Sequence, residues 1–535
     1  MSNTLSRFPT SSSLVKDYIN HFDRVKDFFN LDFRDPHKQQ GIDNIKDQPR
    51  KELAKILLDQ NREFGSGKKT LANIERLAEP ESRAVVTGQQ VGLFGGPLYT
   101  FYKALTTLKL AKKLQTNCQR TVVPVFYMVS EDHDFDEVRW TGIIDKKNQY
   151  QKIIYAENFH PDRQPVSNII LDDSIEKTIE SLDNQIMDTE FKTDILQTLK
   201  SQYRKGRSFS HAFACWFAHL LSDYGVILLD ASDRRLKSLA LPVFERELRQ
   251  EITFGAISQN NKGLQQKGYH QQLDIMDKRP ALFLLQQGRH SLEYRDGHLV
   301  ELSKMKSFDI EELLDQPQKL SPKAALRPVV QDYLLPTIAY VAGPGEIAYW
   351  AQLKNVYREF EIHMPSVFPR ADFTLLETKT LKHLKRFGIE PSSFIKDSQN
   401  IQQSILENLV PEELKKTIEK TQTHLEGDLK TLANIVKETD PTLQSVIDRA
   451  GKTIKNQINL IETKVQNAIA NREKITKQQL ASLQHNLLPD GDLQERKISA
   501  VQYLCKYGRR WIEKIYDHID LDIFTHKFVE LDFDE

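Results

Sequence analysis

Three short stretches hold the residues that could do chemistry. In SEDHDFDE, Ser130 to Glu137, five carboxylates and a histidine fall within eight positions, directly after the apolar run TVVPVFYMV. Clustered carboxylates raise one another's pKa and can act as base, metal ligand or amine anchor, and a histidine there can carry a proton. An acidic run is more often a solvated helix face. This one follows an apparent buried strand, where ligands of open α/β sheets bind, so Glu131, Asp132, His133 and Asp134 are candidates for catalysis and Ser130 and Asp136 for contact.

The second stretch, TGQQVGLFGGPLYTFYK, runs from Thr87 to Lys103. A strand, a glycine loop and a helix starting near Pro97 would aim backbone N–H groups at an anion. That makes Thr87, Gly88, Gln89, Gln90, Gly92, Gly95, Gly96, Tyr99 and Lys103 candidates for binding. The loop matches neither of the standard phosphate motifs, so a plain strand–helix turn with glycines for close packing stays open. The third stretch, LRPVVQDYLLPTIAYVAGPGEIAYWAQL, repeats strand, glycine turn and helix, and adds Arg327, Gln331, Asp332, Gly343, Gly345 and Glu346. A buried structural ion pair and ordinary packing are the alternatives there.

These loops need a sheet. Ala84–Val86, Thr121–Val129, Tyr224–Asp230 and Thr337–Val341 are apolar and β-branched, and helix-length segments separate them. Such runs read as buried strands of a parallel α/β sheet. Thr87–Gln90 and Ser130–Glu137 are then expected on neighbouring loops at one edge, converging on one cleft. Polar inserts interrupt the core at about 142–207 and 254–318, and the second holds two alternating segments around Arg295-Asp296-Gly297, a hairpin signal.

The core spans 1–377, followed by a connector, 378–410. Over 411–485 apolar residues recur at steps of three, four and seven, from Leu414 to Val436 and again from Leu443 to Ile475, with Asp440-Pro441 between. That spacing predicts two long helices in an antiparallel coiled-coil hairpin. Residues 486–535 form a C-terminal return segment. Long apolar seams on two helices predict a homodimer through the hairpin.

Composition removes several classes of function. The 535 residues hold 74 Lys+Arg and 74 Asp+Glu, so no basic excess marks a nucleic-acid binder. No apolar run reaches the roughly 18 residues that cross a bilayer, and the N-terminus has no apolar signal region. Cys118, Cys215 and Cys505 form no metal-ligand cluster, so no metal is assigned and a reduced cytoplasmic setting is expected. Cys215 lies in an apolar helical pattern and reads as a core residue. Ser303-Lys304-Met305-Lys306-Ser307 is a scrambled likeness of a synthetase lysine signature and carries no weight.

Taken together, TGQQVGLFGGPLYTFYK, VPVFYMVSEDHDFDEV, LSPKAALRPVVQDYLLPTIAYVAGPGEIAYWAQL, VFPRADFTLLE and NLLPDGDLQERK resemble the bacillithiol biosynthesis cysteine-adding enzyme family, the cysteine ligases. One position departs: Gly95 precedes Gly96 where that family's pattern has a threonine. The resemblance implies a Rossmann-like core of the class I synthetase type with connecting inserts, and an α-helical coiled-coil domain. It also implies addition of L-cysteine to glucosaminyl malate as the last step of bacillithiol synthesis. Activation of the cysteine carboxyl by ATP is an expectation from fold analogy. On that reading the Gln89–Gly96 loop and Lys103 hold phosphate or acyl-phosphate oxygens. Glu131, Asp132 and Asp134 then hold or deprotonate the amine, and His133 carries the proton. The rival readings are an adenylating enzyme for another amino acid and a non-catalytic coiled-coil dimerisation protein.

Overall fold

The β-branched runs assemble into a single parallel sheet. Its strands are Arg83–Gln89 (β1), Val122–Met128 (β2), Ile227–Asp230 (β3), Thr337–Ala342 (β4) and Ser366–Pro369 (β5). Their spatial order is β5-β4-β1-β2-β3 and every neighbouring pair is parallel. The computed structural model describes residues 7–39, 49–407, 412–440 and 444–533. Strands β1, β2 and β4 are buried almost throughout, as a sheet covered on both faces requires. Strand β5 lies between Pro365 and its own last residue, Pro369, which leave only Val367 and Phe368 as an apolar run in the sequence. Helix Leu98–Cys118 (α1) covers the sheet from between β1 and β2 and buries Phe101, Leu105 and Leu108.

The order places β2 and β3 on one side of β1, and β4 and β5 on the other. The chain therefore reverses direction across the sheet between β1 and β4, and the loops leaving those two strands diverge. This is the topological switch point, beyond whose carboxyl ends such sheets bind ligands.

Between β2 and β3 lie a hairpin, Trp140–Ile144 with Tyr150–Ile154, and the helices Ser174–Gln185 and Lys192–Gln202. Between β3 and β4 a second sheet is inserted, all of its pairings antiparallel, built from Leu282–Leu285, Arg289–Arg295, His298–Glu301, Lys306–Phe308 and Leu320–Pro322. Asp296 and Gly297 turn its central hairpin with φ of 48° and 83°, and Arg295 pairs with His298 across the turn. Two positive φ values are what the tightest hairpin turns need, and Asp-Gly supplies them.

Residues 376–491 form a separate helical unit. In sequence, helices Thr378–Phe387 and Pro391–Glu407 precede the long helices Glu412–Thr439 and Gln444–Leu487. Lys455 reaches Glu426 at 2.8 Å, and Gly451 faces Leu429. Rising numbers on one helix against falling numbers on the other make the pair antiparallel. Pro411 and Pro441, where the sequence placed the start and the turn of the hairpin, lie outside the described residues.

Candidate active site

A cleft of about 510 Å³ opens at the switch point, with Gly88, Gln89 and Gln90 on one lip and Gly343, Pro344 and Gly345 on the other. Lys103 ties the lips together from α1. Its buried Nζ donates to Gly88 O at 2.7 Å and to Gln89 Oε1 at 2.9 Å, and pairs with the Glu346 carboxylate. Glu346 lies in the short helix Pro344–Trp350 (α2), accepting from the Tyr340 hydroxyl at 2.6 Å and the Gly343 N–H at 2.7 Å. Burial lowers the Lys103 pKa against the opposing pull of Glu346. The ammonium thus holds two loops in register more than it presents a free charge. Tyr99 completes this wall beside Gln89.

The glycines divide into two groups. Gly88 lines the cleft, and a Cβ there would lie 3.1 Å from the Tyr340 hydroxyl and 3.4 Å from Arg327. Gly92, Gly95 and Gly96 are absent from the cleft wall. A Cβ on Gly92 would come 2.7 Å from Gly96 Cα, and Gly95 packs on Phe101 and Trp216 with φ of 100°. The start of α1 is no open anion cradle either, because the Leu98 N–H donates to Ile498 O at 2.8 Å. For this half of the loop the tight-turn alternative describes the geometry. Thr87 is likewise buried, its hydroxyl donating to Val341 O at 2.8 Å.

The acidic stretch sits on the loop after β2, beside the loop after β1 at the carboxyl end of the sheet and inside it rather than at an edge strand. Gln90 joins the two loops: its Nε2 donates to Asp132 Oδ2 and to Glu137 Oε2, each at 2.7 Å. Asp132 and Glu137 face the cleft. Their neighbours in the stretch do other work. Ser130 donates to Asp230 at the end of β3. Glu131 is buried, pairing with Lys237 and accepting from Ser321 Oγ at 3.0 Å. Asp134 caps the helix Phe135–Val138, and Asp136 pairs with Arg139 at 2.7 Å. The His133 ring is half-buried edge-on to Phe283, with Nδ1 3.6 Å from Asp132 Oδ1. Burial, then the Arg289 charge, lowers its pKa. His133 therefore stands behind Asp132, off the cleft wall.

From the third stretch, Arg327 reaches the cleft, donating to the Tyr349 hydroxyl at 2.7 Å. Gln331 and Asp332 do not, since both are fully buried in the helix Arg327–Leu334. Asp332 accepts from Gln331 Nε2 at 2.8 Å and from the Tyr357 hydroxyl, and the Arg327 charge favours its ionised form. Burial pushes its carboxyl up to about 6. The folded state therefore favours the protonated form. That contribution is complete below the unfolded value near 4 and is lost as pH rises through about 6. Wild-type stability minus that of Asp332→Asn should accordingly fall between pH 4.5 and pH 7.5, as read by urea unfolding at each pH. A difference independent of pH would contradict this.

Four cleft residues are not among the candidates named from the sequence: Glu137, Tyr349, Arg370 and Arg496. Arg370 follows β5 directly and makes a bidentate, buried pair with Glu495, at 2.8 and 2.6 Å. A basic residue one step past an apolar run, in VFPRADF, is the signal that marks it. Arg496 is half-exposed and pairs with Asp492 at 3.0 Å. The assembled cleft thus holds cations, Arg327 and Arg496, and two carboxylates, Asp132 and Glu137. The first can hold carboxylate or phosphate oxygens, and the second can hold an ammonium and take its proton.

The family model "Bacillithiol biosynthesis BshC, N-terminal Rossmann-like domain" matches residues 1–371, and "Bacillithiol biosynthesis BshC, C-terminal coiled-coil domain" matches 373–531. The chain is 32% identical over 534 residues to a Salinibacter ruber protein named "Putative cysteine ligase BshC", covering 98% of this chain and 97% of that one. Proteins of the same name from Chlorobaculum tepidum and Bacillus cytotoxicus are 35% and 29% identical, over 93% and 94% of this chain and 92% and 95% of theirs.

Proposed function

The chain belongs to the bacillithiol biosynthesis BshC family of cysteine ligases, and from that premise we propose that it joins the carboxyl of L-cysteine to the amine of glucosaminyl malate in the switch-point cleft. The observation that carries this reading is that Arg327, Arg496, Asp132 and Glu137 line one cavity. An amide forms when a free amine attacks an acyl carbon. The amine arrives as an ammonium, so it must be held and must lose a proton before it attacks. Asp132 is the base we assign, because Gln90, Arg289 and the His133 N–H fix its carboxylate at the cleft wall. Glu137 holds the ammonium beside it. Arg327 holds the cysteine carboxyl.

The carboxyl also needs activation, and ATP is the source we propose. The residues fit its anionic groups: Arg327 and Arg496 supply charge at the cleft wall, and Gly88 and Gly343 put no side chain on its lips. When bound, ATP supplies the free energy that makes the carboxyl an acyl donor. Incubation of the full chain with L-cysteine, glucosaminyl malate and ATP, followed by mass spectrometry, should yield the cysteinyl product with an equivalent of AMP or ADP. Product formed equally well from L-serine or L-alanine would favour an adenylating enzyme for another amino acid.

The proposal extends to a cytoplasmic homodimer. No helix among the described residues is long and apolar enough to cross a membrane. Leu432, Ile454 and Ile461 of the long helices are each at least 40% exposed, and a second copy would cover them. Light scattering at micromolar concentration should give twice the mass of one chain. Leu432→Glu with Ile461→Glu should give a single-chain mass, and an unchanged mass would rule out this seam.

A further inference from the structure

Behind Asp132 the cleft adjoins a second chamber of about 320 Å³, lined by Asp132 and Arg327 and by Phe283, Arg289 and Lys323 of the inserted sheet and its exit. Its charges do not balance. Lys237 neutralises Glu131, and Arg289 lies 3.5 Å from Asp132. Lys323 and Arg327 have no carboxylate within 4.0 Å among the described residues. Arg327 makes neutral hydrogen bonds to Tyr349 and Gln331, and Lys323 lies 5.0 Å above the Phe283 ring, which Arg289 also covers at 4.3 Å. Cations drawn out of water without a counter-charge are costly, and they persist where something else supplies the anion. Burial lowers the Lys323 pKa to about 8, Arg279 and Arg289 pushing the same way and Glu247 opposing them. An arriving anion would reverse that shift.

We propose that this chamber is the subsite for a compact dicarboxylate carried by the amine substrate, received by Lys323 while Asp132 at the boundary faces the amine. The proposal rests on the ligase reading above. Phosphate shares the anionic chemistry, but the chamber lies beyond β2, on the far side of Asp132 from the Gly343 lip. Part of its wall is Phe283, Pro322 and Ala231, which suits a carbon-bearing anion better than a polyphosphate. The inserted sheet then sets which amine is accepted, and the parallel sheet carries the chemistry.

The test uses the full chain and L-malate as probe, with inorganic phosphate in a parallel arm, both followed by titration calorimetry. A charge-assisted contact predicts that Lys323→Met weakens L-malate binding by about 10- to 100-fold. Lys323→Arg should restore most of it, and phosphate affinity should not change. In turnover assays Lys323→Met should raise KM for glucosaminyl malate with little change in kcat. L-malate affinity equal in wild type and Lys323→Met, or an equal loss of phosphate affinity in that variant, overturns the subsite. Product formation with an unchanged KM in Lys323→Met overturns the subsite and leaves the ligase reading standing. Lys323-dependent L-malate binding in a chain that makes no cysteinyl product supports the subsite and sinks the ligase reading.

Discussion

Asp132→Asn should fold as the wild type does and form product about 10²–10⁴-fold more slowly, the range expected for a general base. The substitution keeps the shape and removes the ability to accept the amine's proton. Gln90 Nε2 still has Glu137 as an acceptor, so the two loops stay joined. His133→Asn should cost far less, because that ring sits behind the cleft wall and burial holds its pKa down. Glu137→Gln should raise KM for the amine more than it lowers kcat. Wild-type turnover in a folded Asp132→Asn protein would remove this carboxylate from the mechanism.

Lys103→Met should produce the largest loss of stability of any single change at the site, about 3–5 kcal/mol, because it strands the Glu346 carboxylate against buried neighbours. Three acceptors lose a donor at once: Gly88 O, Gln89 Oε1 and Glu346. Those contacts join the end of β1 to the helix after β4, so the switch-point crevice itself should loosen and activity should disappear. Removing the stranded charge as well, in Lys103→Met with Glu346→Gln, should recover much of the stability and none of the activity. Urea unfolding of the three proteins is the check. An unfolding midpoint in Lys103→Met equal to that of wild type would show that the pair holds nothing.

Four of the five parallel strands are legible because apolar runs containing β-branched residues pass through them. The fifth, Ser366–Pro369, is closed in by Pro365 and Pro369, which break the run that would mark it. The Asp-Gly hairpin is legible for a local reason, since only residues tolerant of positive φ fit its turn. The direction in which each polar side chain points is not local. Glu131 turns inward because Lys237 and Ser321 meet it there, and Ser130 because Asp230 does. The partners come from 100 or more residues away in sequence, so SEDHDFDE alone cannot say which of its carboxylates reaches the cleft. The glycine loop divides for the same reason. Gly88 meets Tyr340 and Arg327, whereas Gly95 meets Phe101 and Trp216, and identical residue types give no sign of that difference. Arg370 and Glu495 stand 125 residues apart, and only the fold reveals that two separate motifs close one wall.

Hydrogen-exchange mass spectrometry of the full chain, with and without saturating L-cysteine and glucosaminyl malate, reports whether both substrates are held at the switch point. Binding there should add protection in three segments together, 88–103, 129–139 and 343–350, with the inserted sheet around 283–291 protected by glucosaminyl malate alone. Protection confined to the open groove between the hairpin Tyr150–Ile154 and the helix Ser174–Gln185, with those three segments unchanged, would contradict it.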